Sequence, residues 1–60
     1  MAQDSTRRLL RMFGIAVTDL EEAVESNQAD AARQAAAQAR ERMAEIAELV
    51  KRLSDAAARL

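Results

Sequence analysis

Apolar residues recur along the chain in steps of three and four, and they do so in two separate registers. In the first half they fall at Leu10, Phe13, Val17, Leu20 and Val24, and in the second at Ala29, Ala32, Ala36, Ala39, Met43, Ile46, Val50, Leu53, Ala57 and Leu60. Each set is the a/d seam of a heptad, the pattern of a helix that lays one stripe against another helix. Extended forward, the first seam would reach its next a position at residue 31, whereas the second seam has one at residue 29. A slip of two residues is neither of the insertions a coiled coil absorbs, so one continuous helix would turn its stripe away from its partner. The pattern predicts two helices with a break between them.

Ser26-Asn27-Gln28 is where the break belongs. These are the poorest helix formers in the neighbourhood, and Asn27 tolerates the left-handed conformation that ends a helix. Asn27 followed by Asp30 also has the spacing of a capping pair for the next helix. The reading is a first helix over about residues 4–26, capped by Asp4 or Ser5, a turn at about 26–28 and a second helix over about 28–59. A turn this short folds the helices antiparallel, giving an all-α two-helix hairpin with residues 1–60 as one domain. Facing positions then sum to about 54. That pairing sets Arg7, Arg8 and Arg11 level with Glu48, Glu45 and Glu41, and Glu21 level with Arg33.

The apolar face of the first helix is too wide for one neighbour. At about 100° per residue, Leu9, Leu10, Met12, Phe13, Ala16, Val17, Leu20, Ala23 and Val24 fill an arc roughly 160° across, with Ile15 outside it. The second helix carries a similar arc, with alanine near the turn and Met43, Ile46, Leu49, Val50, Leu53 and Leu60 farther out. Small residues allow close approach, so the hairpin should be tight at the turn. It should be wider where Leu9, Phe13, Met43, Ile46 and Val50 meet. The second helix also outruns the first by about two turns, leaving Leu53, Ala57 and Leu60 without a mate in the same chain. Arg42 lies on the flank of the arc, where its stem either snorkels to water or serves an ion pair between subunits. The association interface is accordingly expected at Leu9, Met12, Ala16, Leu20, Arg42, Leu49, Leu53 and Leu60.

Composition narrows the ways such a chain can be stabilised. A domain of 60 residues buries only about 60% of its unfolded surface and usually recruits a disulfide, a metal or a partner. There is no Cys and no His, which removes the disulfide and the best transition-metal ligands. Association remains. The length, the turn near mid-chain and the heptads resemble the Rop-type family, small helical hairpins that dimerise into antiparallel four-helix bundles; the resemblance includes no residue motif and implies a fold only.

Charge and candidate chemistry point the same way. Nine basic residues against ten acidic ones leave a net charge of −1, no field to hold a polyanion or an anionic membrane. Catalysis would have to use Ser5, Thr6, Thr18, Ser26 or Ser54 with no His as base, and an enzyme is not expected. Glu41, Glu45 and Glu48 share one helix face but lack the Glu-x-x-His pattern of a di-metal bundle, so they read as a solvated face and no cofactor is expected. Glu48 with Arg52 and Asp55 with Arg59 have the spacing of helix-supporting pairs. Arg33, Arg40 and Lys51 along one edge offer a nucleic-acid reading, weakened by Phe13 being the lone aromatic. Arg7, Arg8 and Arg11 beside the apolar arc offer a membrane-surface reading, opposed by Asp19, Glu21, Glu22 and Glu25. Residues 7–17 loosely resemble a secretory leader, but Arg11 interrupts the apolar run and acidic residues follow, so a soluble, cytoplasmic protein is expected. The function expected is helix-to-helix association by a structural or adaptor protein, as a homodimeric four-helix bundle. The alternatives are RNA binding, or a place in a hetero-complex with another helical protein.

Overall fold

The reversal of the chain is written in its hydrogen bonds. At the end of the first helix the Gln28 N–H donates to the Ala23 carbonyl at 2.9 Å and the Asn27 N–H to the Val24 carbonyl at 3.1 Å. This crossed pair is a Schellman motif, which satisfies carbonyls that a helix end leaves unpaired. It needs a left-handed residue just past the helix, and Asn27 supplies it with φ 56°. Gln28 then serves as N-cap of the second helix, its carbonyl accepting from the Ala32 N–H at 2.9 Å.

The computed structural model describes residues 2–60, with side chains from residue 4 onward. Helix α1 spans Ala2–Glu25 and helix α2 spans Ala29–Ala58, packed on each other as an antiparallel hairpin 48 Å long. The two-helix, all-α expectation holds. Its details need amendment at both helix starts. Helix α1 begins at Ala2, so Asp4 lies in the first turn and neither it nor Ser5 is the cap. No side chain caps α2 either: Asn27 ends α1 instead, and Asp30 pairs with Arg33. The earlier start of α1 shortens the overhang of α2 to about a turn and a half.

Where the helices touch, Thr6, Leu9, Phe13, Ala16, Leu20 and Ala23 of α1 meet Ala32, Ala35, Ala39, Arg42, Ile46 and Leu49 of α2, all buried or half-buried. Val17 and Ala36 of the expected seams are half-buried beside them; the contact stripes keep the three-four spacing, yet both are centred about 40° from the seams expected in the sequence. Met43 and Val50, expected between the helices, are instead more than half exposed. The reason is the size of the side chains. Alanine permits the closest approach of two backbones, and the hairpin settles on the stripes where Ala16, Ala23, Ala35 and Ala39 lie. Those four alanines are the enclosed core of the described residues, and no large side chain is fully buried among them.

The consequence is an open molecule. Its accessible surface is 4996 Å², whereas a compact monomer of this mass exposes about 3,900 Å². Roughly 1,100 Å² of surface is therefore exposed that a globular fold of equal mass would cover.

Candidate interaction surface

Part of this exposed surface is a continuous apolar face on one side of the hairpin. Two antiparallel helices seen from one end advance in opposite senses, so turning both stripes by the same sign brings them to the same side. Leu10, Val17 and Val24 of α1 and Ala29, Ala36, Met43 and Val50 of α2 therefore form a single apolar face beside the alanine seam. Near the turn, Val24, Ala29 and Ala32 line one shallow hollow on this side. Leu10, Val24, Met43 and Val50 are each 52–59% exposed.

Polar residues line the opposite side. Its hollow near the turn is bordered by Asp19, Glu22, Gln34 and Gln38, and its hollow near the open end by Ser5, Glu45, Glu48 and Arg52. Between them Arg42 crosses the seam. Its side chain is 23% exposed and its guanidinium donates to both Glu45 oxygens at 2.8 and 3.0 Å and to Glu41 at 3.3 Å. The stem packs among apolar neighbours while the head is neutralised from its own helix. Arg33 likewise pairs with Asp30 of its own helix, and all ion pairs among the described residues are within α2. The cross-helix pairings expected for Arg7, Arg8, Arg11 and Glu21 are not among them, nor are the expected pairs within α2 of Glu48 with Arg52 and Asp55 with Arg59.

The residues named from sequence as interface thus separate into three groups. Leu9, Ala16, Leu20 and Leu49 lie in the contact between α1 and α2 of the same chain. Met12 and Arg42 border a groove on the polar side, together with Gln38 and Glu41. Leu53 and Leu60 are exposed beyond the point that α1 reaches. What the expected set omitted is the apolar face itself, Leu10, Val24, Met43 and Val50. Its signal was present, because the two a/d seams run along it. Ile15, set outside the arc from sequence, is exposed on the polar-side flank of α1, beside Arg11, Gly14 and Thr18 and at the rim of the groove that Met12 and Arg42 border.

No group of three or more metal-binding side chains occurs among the described residues, and no helix is long and apolar enough to cross a membrane. The hollows along the hairpin are shallow and open. Compared with protein families, curated proteins and solved structures, the chain matches none of them.

Proposed function

We propose that this protein is a helix-to-helix association module, a structural or adaptor protein that works as a homodimeric four-helix bundle. The observation that carries the reading is the rotation between the two stripes. In a four-helix bundle each a/d seam points to the bundle centre, about 45° away from the neighbour on either side. Both helices here hold their seams about 40° off the contact within the hairpin, turned to a common side. That is the geometry of half a bundle.

The magnitudes agree. The surplus of roughly 1,100 Å² exceeds the ~800 Å² per partner that a standard interface covers. A second copy presents the same apolar face and supplies the two missing helices. The direct test is mass by sedimentation equilibrium together with melting at several concentrations. The chain should weigh twice its monomer mass at micromolar concentration, and its melting temperature should rise with concentration. A cooperative melt of a monomer, independent of concentration, would defeat the proposal.

A further inference from the structure

We infer that the second copy docks turned end for end, with the two turns at opposite ends of the bundle and α2 lying along the partner's α2. The inference rests on the dimer reading above and adds the orientation, which the shared apolar face leaves open. Two copies stacked face to face have two symmetric choices. Either both turns lie at the same end, with each α1 beside the partner's α2, or the copies are reversed, with like helices side by side. Neighbouring helices run antiparallel in both, so helix direction does not decide. Charge and side-chain size do.

Charge is divided along the hairpin. Around the turn, residues 18–36 hold Asp19, Glu21, Glu22, Glu25 and Asp30 against Arg33 alone, a net −4. The remaining eight basic and five acidic residues give the rest a net +3, with Arg7, Arg8 and Arg11 at the open end of α1 and Lys51, Arg52 and Arg59 at that of α2. Across one bundle these groups lie within one or two screening lengths of one another at ordinary salt. Copies with their turns together set acid beside acid and base beside base. Reversed copies set each acidic turn beside the other's basic open end.

Size gives the second, independent argument. The apolar stripe of α2 runs from small to large: Ala29, Ala32, Ala36 and Ala39 near the turn, then Met43, Ile46, Val50 and Leu53. In the reversed arrangement facing positions on the two α2 helices have a constant sum, and a sum of about 82 aligns seam with seam throughout. Ala29 then comes level with the partner's Leu53 and Ala36 with its Ile46, while Ala32 and Ala39, already packed on α1, come level with its Val50 and Met43. Every small residue faces a large one, and the interface keeps an even thickness. The same placement sets Phe13 beside the partner's Phe13 on α1. It also gives Leu53, 59% exposed past the reach of α1, an alanine to pack on. With the turns together each α2 would lie beside the partner's α1 instead, and the large residues of both α2 stripes would gather at one end of the bundle with the alanines of both at the other.

The absence of cysteine makes the orientation measurable on the whole chain. A nitroxide attached through Ser26→Cys, an exposed turn position, reads the distance between the two turns of a dimer. Reversed copies place the labels about 40 Å apart; copies with turns together place them within about 20 Å. The expected result is the long distance in a species of dimer mass. Raising salt to about 1 M, where screening acts within about 3 Å, should weaken the dimer by roughly tenfold. A short distance at dimer mass, or tighter association at high salt, would overturn the orientation and leave the dimer standing. A monomer mass with no dipolar signal would overturn the dimer reading and the orientation with it.

Discussion

Truncating the apolar face should weaken the proposed bundle far more than it alters the helicity of the assembled protein. Leu10 and Met43 are each 52% exposed in the single hairpin, so assembly has about half of each side chain left to cover. Full burial of such a side chain contributes about 1.5–3 kcal/mol, and half of it about 1 kcal/mol. The double variant Leu10→Ala with Met43→Ala removes four of these contributions from a dimer, on the order of 4 kcal/mol. That corresponds to roughly a thousandfold weaker association. Alanine has the higher helix propensity, so helicity at concentrations high enough to restore assembly should be unchanged. Sedimentation equilibrium over a concentration series measures the association constant, and circular dichroism at the highest concentration verifies the helices. Ile15→Ala is the matched control, since Ile15 is 55% exposed on the flank of α1 away from the apolar face and its truncation should alter association less than about threefold. Should Ile15→Ala dissociate the protein while the double variant assembles like the parent, the interface would lie on the other side of α1. The assignment of the two stripes would then be refuted.

Substitutions at three further positions probe the hairpin itself. Gly14 lies inside α1 with nothing within 4 Å of an added Cβ, so Gly14→Ala should stabilise by about 0.5–1 kcal/mol, seen as a higher melting temperature at fixed protein concentration. Asn27 holds a φ of 56°; Asn27→Gly should change stability by a few tenths of a kcal/mol, whereas Asn27→Val should cost about 2 kcal/mol in chemical denaturation. Arg42→Leu leaves Glu41 and Glu45 solvated, with side chains 68% and 51% exposed. It exchanges an ion pair of a few tenths of a kcal/mol for an apolar side chain in the seam, and should raise denaturation stability by up to about 1 kcal/mol. A loss of stability would show that the Arg42 pair contributes more than its exposed carboxylates suggest.

How much of this was legible in the sequence differs from residue to residue. The two helices and the break at residues 26–28 followed from a register slip that no coiled coil absorbs, and Asn27 took the left-handed conformation for which its short polar side chain suits it. The helix starts were less legible, because a carboxylate or hydroxyl near a terminus is compatible with a cap and with the first turn alike, and Asp4 is in the first turn. The side that α1 offers to α2 was misjudged. Heptad positions identify a stripe some 100° wide or more, and a helix with two neighbours divides that stripe between them. Met43 and Val50 went to one share and Ala35 and Ala39 to the other, a division set by which pairs of small residues let the backbones approach. The partner of Arg42 was equally hidden, since Glu45 lies three residues away on the same helix while Glu41 is adjacent, and rotamers decide between them and any carboxylate of another chain.

The alanine core also bears on how long a single chain survives. Ala16, Ala23, Ala35 and Ala39 offer few atoms for dispersion contacts, so an isolated hairpin has little to hold it closed and its amide protons should exchange at close to the rate of separate helices. Proteases cut through such openings, and the rate of cutting follows the open population. Enclosing the larger side chains in a second copy, as proposed, would lower that population, and the degree of enclosure would depend on how much protein is present. Under the dimer proposal, scarce chains should be degraded faster than abundant ones, which would tie the turnover of this protein to its own concentration.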